Sequence, residues 1–295
     1  MYMMISKARF FILVVLVLLL IPTGINAQNV ANRRNGIRCG YHFQRKYTPE
    51  ASYTKYLNMR LDYYDGEAVF YDEFTFERDS LRLLAFDENG KTKNQEEYDK
   101  LLSLPRPRLD EVTIMDYKGG TAAQIYRQAS ITIRGDGQMP EPPSWELTEE
   151  LSTVGSHNCK KATAHYLGRT WTVWYTEDIP LPIGPWMLWS TPGLIVSAED
   201  SEQLFRFQLA WIDELDNHDR LPFIDTFYPK SSFQKRNAFK HFSLSMKDAE
   251  QMNNRIKTDA AYMHELIGGR PRDMESLQSR MKYIPLIPDA YWKGK

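Results

Sequence analysis

The run Arg169-Thr170-Trp171-Thr172-Val173-Trp174-Tyr175-Thr176 alternates residue by residue. Trp171, Val173 and Tyr175 share one side of an extended chain, and Thr172, Trp174 and Thr176 share the other. A period of two marks a strand with two distinct faces. Just upstream, Ala162, Ala164 and Tyr166 alternate with Lys161, Thr163 and His165, and Gly168-Arg169 turns the chain between the two runs. Downstream, Leu194 to Ala198 and Leu204 to Ile212 continue the pattern. There Phe205, Phe207, Leu209 and Trp211 are expected to form an apolar face against Arg206 and Gln208. Consecutive strands joined by short turns become antiparallel neighbours.

One segment inside this region breaks the alternation. Gly184 to Ile195 holds two Pro, two Gly and two Trp, and Pro180 and Pro182 precede it. Proline fixes φ and lacks a backbone donor, so the segment reads as a stiff, shaped loop rather than a ladder strand. Its Trp186 and Trp189 have two readings. They plug the open end of a curved sheet, or they form a platform for an apolar or peptidic ligand.

The wider stretch has a recurring order. Trp145-Glu-Leu-Thr148 is followed by Cys159-Lys-Lys-Ala162, Gly168 to Thr176, Ile179-Pro-Leu-Pro-Ile-Gly-Pro-Trp186 and Thr191-Pro192-Gly193-Leu194-Ile195. In that order and spacing it resembles the GLPGLI family, envelope proteins of Bacteroidota named for a Gly-Leu-Pro-Gly-Leu-Ile hexapeptide. Here Ser190-Thr191 stands where the family has Gly-Leu, and Pro192 to Ile195 match. The resemblance covers about sixty residues closely and fades after Asn217. It implies an exported envelope protein with a binding or accessory role, linked to an outer-membrane transporter or secretion. It implies no reaction.

The N-terminus agrees with export. Lys7 and Arg9 precede an unbroken apolar run from Phe10 to Ile21, and Pro22, Gly24 and Ile25-Asn26-Ala27 follow. This is the layout of a secretory signal over residues 1–27, with cleavage between Ala27 and Gln28. A membrane anchor is the competing reading, but spanning a bilayer takes about 20 apolar residues. No Cys stands directly after the cut, where Gln28 is found, so a lipoprotein anchor is not expected. Cleavage takes away two basic and no acidic residues, moving the net charge from −1 to −3. A chain so balanced gives no reason to expect nucleic acid as a partner.

Residues 28–295 read as a single, predominantly antiparallel β domain with a helical part from about residue 243. Met59, Leu61 and Tyr63 alternate with Arg60, Asp62 and Tyr64; Asp65-Gly66 predicts a type I′ hairpin, and Ala68 to Phe76 returns. Asn94 to Leu104 predicts a short helix, capped by Asn94 and ended by Pro105. Val112 to Tyr117 and Ala123 to Ile133 read as further strands, and Gly135-Asp136-Gly137 with Pro140 to Pro143 as a loop. After Phe242, Ser245 and Asp248 form a cap for a helix whose apolar stripe is Ala249, Met252, Ile256, Ala260, Met263 and Ile267. Gly268-Gly269 ends it, and Pro271 opens a short helix at Arg272 to Met281. Eight to ten strands are expected, and a sheet that long must curl, split or close. The fold class is therefore α+β, mostly β: a curved, half-barrel-like antiparallel sheet with C-terminal helices packed on it.

For chemistry the sequence offers little. Cys39 and Cys159 are the only cysteines, and in an oxidising compartment they are expected to pair. The alternative is two free buried thiols. His157, Cys159 and His165 form a weak metal-ligand pattern that a disulfide at Cys159 would remove. Cys159 with His157 or His165 is formally a thiol nucleophile with a base. Gly-x-Ser-x-Gly, His-Glu-x-x-His, a phosphate loop and a dinucleotide fingerprint are absent from the sequence. Glu177-Asp178 and Glu199-Asp200 read as solvated turns. No cofactor and no catalytic residue is expected. Three readings remain: a non-enzymatic envelope protein of the GLPGLI type, whose partner is an outer-membrane transporter or another envelope protein; a periplasmic carrier of lipid, lipoprotein or another hydrophobic ligand; and a metal- or thiol-dependent envelope enzyme.

Overall fold

In the computed structural model, described over residues 36–87, 91–105, 111–128, 131–215, 240–267 and 274–293, twelve strands make one sheet. They are β1 (Gly36–Arg45), β2 (Leu57–Tyr64), β3 (Glu67–Asp72), β4 (Glu111–Asp116), β5 (Thr121–Gln128) and β6 (Ile131–Gln138). Then come β7 (Glu146–Val154), β8 (His157–Tyr166), β9 (Arg169–Thr176), β10 (Leu194–Asp200), β11 (Phe205–Leu215) and β12 (Lys240–Ser245). The helices are α1 (Glu73–Ala85), α2 (Gln95–Ser103), α3 (Met246–Thr258), α4 (Ala260–Ile267), α5 (Met274–Arg280) and α6 (Asp289–Lys293). The expected signal segment and its cleavage site, Ala27 and Gln28, lie outside the described residues.

The strand order is β12-β6-β5-β4-β3-β2-β1-β11-β10-β9-β8-β7, an open sheet in which β12 and β7 are outermost. Every pair is antiparallel except β12 with β6, which is parallel. The sheet is thus mixed rather than purely antiparallel. Tight hairpins build most of it. Asp65 and Gly66 both take positive φ, 50° and 87°, as a type I′ turn requires. Leu167 and Gly168 do the same between β8 and β9.

The alternation seen in sequence sets an inner face. Tyr41, Phe43, Met59, Leu61, Tyr63, Phe70, Met115, Trp171, Val173, Phe205 and Phe207 belong to one continuous core on it. A smaller cluster of Tyr71, Val112, Ile114, Ala123 and Ile125 occupies the opposite face. There α1 is tied to β5 by a buried ion pair, Arg127 Nη1 to Asp79 Oδ2 at 3.0 Å.

Several expectations are corrected. The strand predicted to run to Phe76 stops at Asp72, whose carboxylate accepts from the Phe74 N–H and starts α1. Gly135 and Gly137 lie in β6 rather than in a loop. A Cβ at Gly135 would sit 2.6 Å from the Ala249 Cβ, so the glycine lets α3 approach the sheet. The stripe from Ala249 to Ile267 belongs to two helices, because Asp259 ends α3 and caps the next turn by accepting from the Tyr262 N–H at 2.9 Å. Gly268-Gly269 and Pro271 lie outside the described residues. Trp211 is exposed, not part of the apolar face. Gly40 faces Trp211 and Tyr41 faces Leu209, so Ala210 is a bulge that reverses the side on which later residues fall.

The expected Cys39–Cys159 disulfide is not formed; both thiols are free and buried. Strands β11, β10 and β9 stand between β1 and β8. Four steps at about 4.8 Å put the two backbones on the order of 19 Å apart along the sheet, where a bridge needs roughly 7 Å or less.

Candidate functional site: the covers of the inner face

Three segments lie over the inner face: the proline-rich loop, the C-terminal segment and α3. The loop contributes Leu181, Ile183, Trp186, Met187, Leu188 and Trp189 to the core, all buried. Its backbone is held without a regular ladder. Ile179 O accepts from the Leu194 N–H at 3.0 Å, Ile183 O from Ile195 at 3.0 Å and Pro182 O from Ser190 at 2.9 Å. Trp145 Nε1 donates to Trp189 O at 2.7 Å, and Tyr41 Oη to Ile195 O at 2.6 Å. The Trp186 ring lies 5.9 Å from Trp171, and Trp189 lies 5.4 Å from Tyr117.

Trp186 and Trp189 are both buried against the inner face, so no exposed indole platform stands there. Trp186 and Ser190 carry positive φ of 56° and 70°, so the tight bends fall on them and not on Gly193. Gly193 is needed for space: a Cβ there would sit 1.9 Å from Thr176 O. Pro192 is half-buried, while Leu194 and Ile195 are fully buried at the start of β10.

The weak ligand set is not brought together. Cys159 and His165 share one face of β8, but six residues at about 3.3 Å each separate them by roughly 20 Å. His157 is half-buried, Cys159 donates from Sγ to His157 O at 3.5 Å, and exposed His165 has Nδ1 3.3 Å from Thr170 Oγ1. Burial raises the pKa of the Cys159 thiol, and drives that of Cys39 well above the usual thiol range. Both stay protonated at neutral pH, so neither is poised as a nucleophile.

Asp200 is not a solvated turn residue. It is buried, accepts from the Leu204 and Phe205 N–H groups at 2.8 and 2.7 Å, and faces Arg169 Nη1 at 3.3 Å. Arg169 also donates to Pro285 O and Leu286 O, each at 2.9 Å. Arg45, likewise buried, donates to Ile284 O. Both guanidinium groups lie over the Phe205 ring, Arg45 at 5.4 Å and Arg169 at 4.7 Å. Two arginines thus fasten residues 284–286 across the inner face through charge-assisted bonds and ring stacking.

Beneath α3 lies a cluster that sequence reading missed. Its sheet-facing side carries Ala249 and Ile256, but also Glu250, Asn253 and Asn254, all buried. With Lys257, residues 250, 253, 254 and 257 form a polar stripe at helical spacing. Tyr126 donates to Glu250 Oε2, and Lys257 pairs with Glu111. Tyr126 and Glu111 face each other across β4 and β5. Lys257 Nζ lies 4.3 Å from the Tyr283 ring centroid, and Asn254 Nδ2 donates to Asp289 Oδ1 at 2.9 Å.

Burial pushes the Glu250 carboxyl up to about 7; the Tyr126 hydroxyl opposes the rise and Glu111 adds to it. Burial alone would discharge Lys257, but Glu111 and Tyr283 hold its ammonium above the usual lysine range. Asn253 is completely buried, and neither its Nδ2 nor its Oδ1 has a hydrogen-bond partner among the described residues. Each such group costs about 1–3 kcal/mol. The clue legible in sequence is the polar 3-1-3 spacing of residues 250, 253, 254 and 257 beside the apolar stripe.

No family model and no curated protein matches the chain. Among solved structures it is similar to PNGF-II in two crystal forms. One gives 13% identity and a TM-score of 0.46 over 74% of this chain, and the other 13% and 0.43 over 68%. In both, the match spans only 32% of the PNGF-II chain, about a third of its length.

Proposed function

We propose that the chain is an exported, non-enzymatic cell-envelope protein of the GLPGLI type, with its sheet curved like a half-barrel around the loop and the C-terminal segment. In this reading it works by associating with another envelope protein, such as an outer-membrane transporter or a component of a secretion system. The export pattern around Lys7, Arg9 and Ala27 supports the location, and the stretch from Trp145 to Ile195 supports the family.

The observation that carries the binding role is the face at β7. Leu147 and Leu151 are 55% and 73% exposed there, beside a groove of about 500 Å³ that includes Leu151, Asn158, Lys160 and Glu177. Exposed large apolar side chains beside a groove are what a partner would cover. Strand addition is disfavoured, because three residues, Thr148 to Glu150, bulge opposite Lys161, and Glu146, Glu149 and Glu150 line the edge. Side-chain docking fits better.

The test is native mass spectrometry of the protein purified from its own envelope. The expected species starts at Gln28 and carries a protein partner that Leu151→Lys releases. A chain retaining residues 1–27 and resisting carbonate extraction would refute export. A co-purified lipid would instead favour the carrier, a reading weakened by Trp186, Met187, Leu188 and Trp189 occupying the inner face.

A further inference from the structure

We infer that α3 is a proton-operated latch: with Glu250 protonated it seats on β5 and β6, and with Glu250 ionised it loosens from the sheet. The geometry supplies the reason. Residues 249, 250, 253, 254 and 256 are the buried side of α3, and Asn253 stands near the middle of that arc. One half of the arc is apolar, Ala249 and Ile256 packing on Tyr126, Ile131 and Ile133. The other half is polar and acid-rich. A helix with an unpartnered amide at the centre of its contact is held less firmly than one seated on an apolar stripe alone.

The groups around Glu250 come from every side. Tyr126 on β5 donates to it, Glu111 on β4 and Asp289 on α6 disfavour its charge, and Lys257 on α3 favours it. Lys257 is already committed to Glu111, with Tyr283 beside it and Arg45 stacked 4.5 Å from that same ring. Ionising Glu250 therefore adds a second buried carboxylate to a pair whose cation is shared. The sign follows from linkage. The seated state holds the Glu250 proton more tightly than an unseated helix, where the group is an ordinary glutamate. Seating is thus complete at acid pH and weakens as pH rises from the ordinary glutamate range through about 7.

The experiment is hydrogen exchange of the full chain at pH 5.5 and 8.0, corrected for the intrinsic rates and read by peptide. For α3 the protection factor should fall at least about tenfold at pH 8.0, while peptides from β8 and β9 stay level. Glu250→Gln, neutral at both values, should abolish that difference. Tyr126→Phe, which removes a donor to the carboxylate, should move the midpoint to higher pH. The latch is overturned if α3 protection in the unmodified chain is independent of pH, if Glu250→Gln keeps the same profile, or, should that variant fail to fold, if Tyr126→Phe leaves the midpoint in place.

Discussion

The proline-rich loop and α3 cover the same inner face by opposite means. The loop presents Leu181, Ile183, Trp186, Met187, Leu188 and Trp189, and its backbone groups find partners in β10 and in Trp145. Helix α3 presents Ala249 and Ile256 on one side and Glu250, Asn253 and Asn254 on the other. Burial of apolar surface contributes at any pH; the buried Glu250 carboxyl, with Lys257 taken up by Glu111, contributes only while protonated. The first cover is an extension of the core, and the second is conditional.

Breaking the loop should have the largest effect. Trp186→Ala removes a buried ring that packs on Trp171, and truncations of this kind cost about 3–5 kcal/mol. The melting temperature should drop by roughly ten degrees or more. An unchanged melting temperature would mean that the ring is not part of the core. Next comes Gly193→Val, which drives a side chain into the backbone of Thr176 and Glu177 and should cost about 1–3 kcal/mol or more in chemical denaturation.

The loop was largely legible in sequence, because proline and tryptophan act locally. So were the Asp65-Gly66 hairpin and helix α2, where Asn94 Oδ1 accepts from the Glu96 and Glu97 N–H groups. What escaped depended on distant partners. Gly135 and Gly137 read as a turn, and only the approach of Ala249 and Met246 explains them within a strand. Trp211 changes sides because of a bulge at Ala210 that no local pattern announces. The parallel pairing of β12 with β6 joins segments more than a hundred residues apart. The polar stripe of α3 is buried only because β4 and β5 supply Glu111 and Tyr126 beneath it.

Smaller effects sharpen the contrast. Asn253→Leu replaces an amide without a hydrogen-bond partner among the described residues by an apolar side chain of similar size. It should stabilise the protein by about 1 kcal/mol in urea denaturation, and a loss of stability would show that the amide is satisfied in solution. Leu151→Lys, on exposed β7, should change stability by less than about 0.5 kcal/mol, so any loss of a partner could be assigned to the surface and not to unfolding.

The most direct test of the two-cover account is native-state hydrogen exchange in low denaturant at pH 8, comparing the amides of Leu188, Leu194 and Ile195 with those of α3. The Leu188 amide in the loop and the two β10 amides bonded to loop carbonyls should open only with global unfolding, showing the full denaturant dependence, while those of α3 exchange through a smaller local opening of lower free energy. Equal free energies and equal denaturant slopes for the two sets would contradict it.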